Sequence, residues 1–288
     1  MRITRDVRLI IKHALREDIG REDITTLFTI PVHYKAKAVV LAKEDGVLCG
    51  IDVMKAVFKE RDHKVNFKAL KKDGQHFRFG EHIAYAAGPA RSILAAERVG
   101  LNFLSKLSGI ATVTARFVAK LEGGKARLLD TRKTTPTLRV LEKYAVRCGG
   151  GYNHRSALEE TILVKDNHLR AGRFIVGEQL NRELLAKGLA YLRKIPQVKI
   201  EIEVETILEF EAVIKHQPDV VMLDNFKVED MHEAVAYRDK NFPKVKLEAS
   251  GGVTLDNVEP IGRTGVDFIS TGYVTHSAKA IDFSLEIM

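Results

Sequence analysis

The stretch VKIEIEVETILEFEAVIKHQPDVVMLDN, residues 198–225, decides the fold. Val198–Val204 alternates apolar and charged side chains, Lys199, Glu201 and Glu203 being the charged ones, the period of a strand. Thr206 stands at a helix N-cap position, and a second short apolar strand follows at Val220–Leu223. A strand, a helix and another strand in series imply parallel pairing. The same rhythm extends outward to strands at Arg127–Leu129 and Thr161–Val164 before this unit, and at Val245–Leu247 and Phe268–Ile269 after it. Thr135-Pro136 starts one intervening helix, with proline at the first helical position. Thr254 caps another. Six such strands favour a closed or nearly closed α/β barrel over an open doubly wound sheet, and no GxGxxG fingerprint supports a dinucleotide fold.

The preceding residues read differently. Residues 5–17 form a helix with Val7, Ile10, Ile11, Ala14 and Leu15 on one face, closed by Gly20. Short strand-like runs follow at Ala38–Ala42, Val65–Phe67 and Ile83–Tyr85, punctuated by Gly46, Gly50, Gly74, Gly80 and Gly88. Val53–Phe58 reads as a short helix between them. Ser92 then caps a long helical region that Gly109 interrupts, and a second helix runs to about Leu121 before Gly123-Gly124. The reading is a mixed α/β layer over 1–110 and a barrel domain over 111–288, whose last helix packs back on the N-terminal domain.

Composition narrows the function classes. The 288 residues are 45% hydrophobic and 29% charged, an ordinary globular balance. Two cysteines, Cys49 and Cys148, are too few for a disulfide framework and lack metal-ligand spacing, which points to a reducing cytoplasmic setting. Arg2, Arg5 and Arg8 precede only Leu9-Ile10-Ile11, too short an apolar run for a signal peptide. No segment approaches the ~18 apolar residues of a membrane span. A net charge of +8 fits nucleic acid, an anionic small molecule or an incidentally basic surface. With aromatics at 7% and no tryptophan, the stacking platform of a nucleic-acid binder is poorly supplied.

In an α/β barrel the functional residues lie at the C-terminal ends of the strands. Those ends split by charge here. The early ones offer cations: Arg132, Lys133 and Lys165, with His154-Arg155 after a Gly149-Gly150-Gly151 loop. The middle ones offer the carboxylates Glu203 and Asp224. The last two offer Ser250-Gly251-Gly252 and Ser270-Thr271-Gly272. Glycines let backbone N–H groups converge on an anion, and the last two barrel loops are the usual phosphate site. Thr254, opening a helix after the first loop, adds a helix N-terminus. The plainer alternative is that these glycines only turn tight loops.

Glu201, Glu203 and Glu205 share one face of their strand. A wet edge strand accounts for that too, but a place in the middle of the series argues for an interior face, where carboxylates need cations or a metal. Glu203 and Asp224 are candidate Mg²⁺ ligands, since Mg²⁺ meets one or two carboxylates plus ligand phosphates. Arg132 and Arg155 are candidate bidentate carboxylate clamps. His154 reads equally as a capping or core histidine, Cys148 has no base placed for it, and loop polarity accounts for Asp166-Asn167-His168. A ligand matching all three groups is an anion, a metal-chelated group and a phosphate together. Phosphoribosyl pyrophosphate with an acidic base has that description.

LLDTRKTTPTLRVLEKYAVRCGGGYNHR (128–155), ILVKDNH (162–168), EVE (203–205), MLDNF (222–226), EASGG (248–252) and ISTG (269–272) together resemble the quinolinate phosphoribosyltransferase family. EDIGREDITT (17–26) and AAERVGLNFLSKLSGIAT (95–112) match it as well, so the resemblance covers nearly the whole chain. It implies an N-terminal α/β sandwich, a C-terminal open (incomplete) α/β barrel of TIM type, and at least a homodimer. It implies that Arg132, Lys133, His154, Arg155 and Lys165 bind the quinolinate carboxylates, and that Arg98 reaches the partner's site. Glu203 and Asp224 match the carboxylates facing the ribose and Mg²⁺-pyrophosphate; Ser250, Gly251, Gly252 and Gly272 match the 5′-phosphate cradle, to which Thr271 is added from its loop. Lys133, Lys165, Glu203 and Asp224 are the expected catalytic group.

The chain departs from the family pattern at Arg170–Pro196, which is longer than usual, at Thr135-Pro136-Thr137 in place of Leu-Pro-Gly, and at Glu22 in place of glycine. The implied reaction joins quinolinate to phosphoribosyl pyrophosphate and releases CO₂, giving nicotinate mononucleotide. The competing readings are a related transferase acting on another acidic acceptor without decarboxylation, a basic nucleic-acid-binding protein, and a non-catalytic sugar-phosphate binder.

Overall fold

A computed structural model describes residues 1–176, 179–194 and 198–288. In chain order the elements are α1 (Arg5–Ile19), α2 (Ile24–Thr29), β1 (Lys35–Ala42), β2 (Gly46–Val47), α3 (Ile51–Arg61), β3 (Asn66–Ala69), β4 (His76–Phe77), β5 (His82–Pro89) and α4 (Ala90–Lys120). There follow β6 (Arg127–Leu129), α5 (Arg139–Cys148), β7 (Thr161–Val164), α6 (Asp166–Ala171), β8 (Ile175–Val176), β9 (Gln179–Leu180) and α7 (Arg182–Leu192). The chain ends with β10 (Lys199–Val204), α8 (Ile207–Ile214), β11 (Val220–Asp224), α9 (Val228–Asn241), β12 (Lys246–Ser250), α10 (Val258–Arg263), β13 (Phe268–Ser270), α11 (Tyr273–His276) and β14 (Phe283–Ile287).

Compactness gives two units: Met1–Arg116 with Lys133–Gly151 and Val274–Met288, and Phe117–Arg132 with Tyr152–Tyr273. It thus groups α5 and β14 with the first unit, which a single cut in chain order does not do. In the first unit an antiparallel sheet runs β14-β1-β5-β3. Val7, Ile11 and Leu15 recur on one face of α1 and are buried. Phe58 of α3 stacks on Phe67 of β3 at 5.5 Å between ring centres. The returning C-terminal segment is the strand β14, paired with β1, where a helix was expected.

The second unit is an open, wholly parallel sheet in the order β6-β13-β12-β11-β10-β7. All six strands fall where the apolar runs place them. Ile202, Leu223, Leu247 and Ile269 are buried, as strands covered on both faces require. Beneath the sheet, fully buried Arg238 of α9 donates to Asp267 (2.6 Å) and to the carbonyl of Val245 (3.0 Å). Of the long segment 170–196, α6, β8, β9 and α7 are described, while 177, 178, 195 and 196 lie outside the described residues.

Three helix expectations are corrected. Thr135-Pro136 does not start α5: Thr137 takes a left-handed φ of 68°, the chain turns, and the helix begins at Arg139. Thr254 does not cap α10, which begins at Val258; its N–H instead donates to Asn257 Oδ1 (2.8 Å). Gly109 does not interrupt α4, which runs unbroken from Ala90, two residues before the expected cap Ser92. Ser92 Oγ donates to Asp62 (2.7 Å).

Gly109 serves packing. A Cβ placed there would lie 2.2 Å from the carbonyl oxygen of Lys279, so only glycine admits that backbone against the helix. Alanine is the better helix former by about 1 kcal/mol. Gly109→Ala is nevertheless expected to destabilise the protein by about 1–3 kcal/mol through overpacking. Urea denaturation checks this, and unchanged or raised stability would contradict the close approach.

Candidate active site

Period-two alternation places Glu201 and Glu203 on the same face of β10, and both are buried. Glu205, one step beyond the strand, is exposed. Glu248 of β12 is also buried, and its carboxylate converges with that of Glu201 on the ring of His154. His154 Nε2 lies 3.1 Å from Glu201 and 3.7 Å from Glu248. Its Nδ1 accepts the backbone N–H of Arg155 at 2.8 Å. The proton of a neutral ring therefore sits on Nε2, facing the carboxylates. His154 belongs to an internal network and links the acidic layer to the backbone of Arg155.

Glu201 and Glu248 each keep one buried oxygen, Oε1, without a protein hydrogen-bond partner. Burial and then the charge of Glu201 push the Glu248 carboxyl up to about 8. Asp130, fully buried at the end of β6, anchors the loop above: it accepts the His154 N–H at 2.9 Å and Asn153 Nδ2 at 2.6 Å. The Leu129–Tyr152 bridge adds a backbone tie.

That loop presents Arg155, whose Nη1 donates to the Thr161 carbonyl at 2.8 Å. Burial first, and then the charge of Arg132, lower the pKa of Arg155. Two guanidinium groups are thus close enough to repel each other. Lys165, at the end of β7, pairs with Glu203 at 2.5 Å; the lysine is 45% exposed and the glutamate 6%. The buried charge has a cation, and that cation still reaches solvent. Asp166-Asn167-His168 opens α6, where His168 Nδ1 accepts the Lys165 N–H, a capping role.

At the far strand ends, Gly251 and Gly252 have φ of 85° and 59°. A Cβ on Gly251 would lie 2.3 Å from Asn225 Oδ1, so the loop is pressed against the end of β11. Asn225 itself has φ 57°, and its amide donates to Asp224 at 2.8 Å. Ser270 Oγ donates to Ser250 Oγ at 3.1 Å. Thr271 donates its hydroxyl to Val253 (2.9 Å) and its N–H to Leu129 (3.1 Å), so both donors fasten loops together. Buried Gly272 follows. With α10 beginning at Val258, Ser250–Gly252 form a glycine turn rather than a helix N-terminus.

The second unit thus brings together Arg132, His154, Arg155, Lys165, Glu203 and Asp224, with Ser250, Gly251, Gly252, Thr271 and Gly272 on the later loops. Lys133 belongs to the first unit, exposed, with its carbonyl accepting from Thr275 Oγ1 (2.7 Å). Arg98 is exposed on α4 of that unit.

The descriptions of known families agree over both halves of the chain. Residues 23–108 match the N-terminal domain and residues 110–286 the C-terminal domain of quinolinate phosphoribosyl transferase. The chain belongs to that family. It is 38% identical to the nicotinate-nucleotide pyrophosphorylase (carboxylating) of Mycobacterium leprae, over 96% of this chain and 95% of that one. It is 37% identical to quinolinate phosphoribosyltransferase (decarboxylating) 1b of Nicotiana tabacum, over 99% and 83% of the two chains. The crystal structure of the nicotinate-nucleotide pyrophosphorylase of Ehrlichia chaffeensis superposes with a TM-score of 0.90 at 35% identity, covering 100% of both chains.

Within this family member, sequence reasoning passed over Asp130, Glu248 and Asn225 as site residues. Strand parity carried a signal for Glu248, two residues before Ser250 on the same face. Nothing local marked Asp130 as buried or Asn225 as left-handed. The raised pKa of Glu248 has a pH consequence. A carboxyl whose folded pKa exceeds its unfolded value contributes most stability below the unfolded value and loses it as pH rises through the folded one. Glu248→Gln removes the titration. The variant is expected to gain stability relative to the parent between about pH 5 and pH 9, by an amount on the order of a few kcal/mol. Denaturant titrations across that range check it; a constant difference at every pH would refute it.

Proposed function

We propose that this chain joins quinolinate to phosphoribosyl pyrophosphate and decarboxylates the adduct, giving nicotinate mononucleotide, pyrophosphate and CO₂ for NAD biosynthesis. The observation that carries this reading is the set of cations gathered at the strand ends of the second unit: exposed Arg132, half-buried Arg155, and Lys165, which reaches solvent above buried Glu203. A dianion is the ligand that such a set of cations neutralises, and planar guanidinium forks suit carboxylates. Quinolinate has two adjacent carboxylates, whereas nicotinate has one.

Arg132 and Arg155 hold the pyridine ring, with Lys165 adding to the cationic lining. His154 keeps Arg155 in place through its backbone N–H. The pyridine nitrogen attacks C1 of the ribose as pyrophosphate departs. Glu203 and Asp224 face the positive charge that builds on the sugar and lower its energy electrostatically. Ser250, Gly251, Gly252 and Gly272 hold the 5′-phosphate with backbone N–H groups, and Thr271 holds those loops in register. The new pyridinium nitrogen stabilises the carbanion left when CO₂ leaves the neighbouring carbon. The protein's share is orientation and charge complementarity.

Glu203 and Asp224 offer hard oxygen donors suited to Mg²⁺. Among the described residues neither belongs to a converging group of three ligands. One or two carboxylates together with ligand phosphates and water would hold the ion, and Mg²⁺ would supply charge neutralisation of the pyrophosphate. Arg98 is exposed on α4, available to the site of a partner in a homodimer. Among the described residues no helix is long and apolar enough to cross a membrane, and we place the enzyme in the cytoplasm. The two family-model matches meet between residues 108 and 110, in support of a catalytic domain that begins there in sequence.

Turnover is tested by mixing the protein with quinolinate, phosphoribosyl pyrophosphate and Mg²⁺ and following nicotinate mononucleotide and CO₂. Product from quinolinate but not from nicotinate is expected; the reverse preference would overturn the two-carboxylate pocket. Arg155→Ala should raise KM for quinolinate by roughly 30-fold to several thousand-fold, the equivalent of about 2–5 kcal/mol, with KM for phosphoribosyl pyrophosphate little changed.

A further inference from the structure

The first unit contains a thiol network that the proposed reaction does not use. Cys49, between β2 and α3, is fully buried. Its backbone is held on both sides by one side chain: the N–H donates to Ser108 Oγ at 3.0 Å, and the carbonyl accepts from that hydroxyl at 3.2 Å. Cys148, the last residue of α5, is half-buried. The two sulfur atoms and a carboxylate oxygen of Asp73 all lie within 4.8 Å of one another. Three segments distant in sequence therefore deliver two thiols to one point.

The surroundings make the thiols unequal. Tyr144 is four residues before Cys148 on α5, hence on the same face. Its hydroxyl donates its one proton to Asp73 Oδ2 at 2.8 Å, so Tyr144 ties down the carboxylate beside the two thiols. Hydrogen bonding from Cys49 draws the Cys148 thiol below its ordinary pKa against its own partial burial, while burial pushes Cys49 well up. One sulfur belongs to a half-buried residue and is easier to ionise. The other is buried and protonated beside it. That is the division between an attacking and a resolving cysteine. A metal is the less suited occupant. Asp73 already accepts from the Ile51 N–H (3.0 Å) and from Tyr144, and a metal would also have to ionise the buried Cys49.

We propose that Cys148 and Cys49 are a peroxide-reactive pair that closes to a reversible disulfide. The Cys148 thiolate attacks one peroxide oxygen and breaks the O–O bond; protonation of the leaving oxygen gives water and a sulfenic acid on Cys148. The Cys49 sulfur then attacks the Cys148 sulfur, the S–O bond breaks, and the hydroxyl leaves as water with the Cys49 proton. Two thiols and one hydrogen peroxide thus become one disulfide and two waters. The chain has only these two cysteines, so an intramolecular disulfide has one assignment. Cytosolic disulfides of this kind are characteristically transient and redox-sensing.

The test uses the full chain, reduced and then treated with hydrogen peroxide, quenched with a thiol alkylator and digested without reductant. Expected are parallel loss of both thiols, a cross-linked peptide pair containing Cys49 and Cys148, unchanged monomer mobility on a non-reducing denaturing gel, and recovery of both thiols with dithiothreitol. Cys49→Ser should stop at a sulfenic acid on Cys148 that dimedone traps. Cys148→Ser should leave Cys49 unreactive in the folded protein. Peptide mapping of the parent protein stands alone if a variant fails to fold. The proposal is overturned by Cys148 driven to sulfonic acid beside a free Cys49, by a disulfide between two chains, by thiols that resist peroxide until denaturant is added, or by a stoichiometric Zn²⁺ that shields both sulfurs. None of these readouts depends on quinolinate turnover, so the catalytic assignment and the thiol pair succeed or fail separately.

Discussion

Carboxylates inside a parallel sheet must each find a cation or a proton, because desolvation of an unpaired charge costs too much. Glu201, Glu203 and Glu248 impose this condition on the second unit. Lys165 meets Glu203, the Nε2 proton of His154 meets Glu201, and Glu248 answers with a raised pKa of its own. His154 can face downward only because its other nitrogen accepts the Arg155 N–H and because Asp130 holds its backbone. Arg155 is thereby fixed beside Arg132. The placing of these cations follows from the acidic layer beneath them.

This arrangement separates two tasks that a list of cations and anions would merge. Arg132, Arg155 and Lys165 reach solvent. Groups that do not, Asp130, Glu201 and Glu248, set where the first kind stand. His154 sits between them, with both ring nitrogens turned to the protein. At the other end of the site, Gly251 fits against Asn225 because it lacks a side chain, and Thr271 joins loops through both of its donors. The Ser250–Gly252 turn is shaped by backbone fit, and α10 behind it begins only at Val258.

The first unit shows the same economy of local signals. Gly109 in α4 has the composition of a break and the role of a seat for the Lys279 backbone. Cys49 and Cys148, far apart in the chain and without a spacing motif, arrive at a common point with Tyr144 and Asp73.

Much of this was legible in the chain. The six parallel strands followed from apolar runs, and the charge at each strand end from the residue that follows it. Thr206 was read as a cap and caps α8 through Glu209. Strand parity alone put Glu201 and Glu203 on one face. These features depend on neighbours a few residues away, which a sequence displays. Pro136 and Thr254 were misread as helix starts because a turn and a cap use the same residue types, and only the backbone dihedral tells them apart. Asp130, Glu248 and the orientation of His154 were settled by tertiary structure, since burial and partner choice are properties of segments distant in sequence. The sequence by itself determined which chemical groups stand at the strand ends. Tertiary structure decided which of them reach solvent and which hold the others, because that choice depends on what each strand finds opposite it.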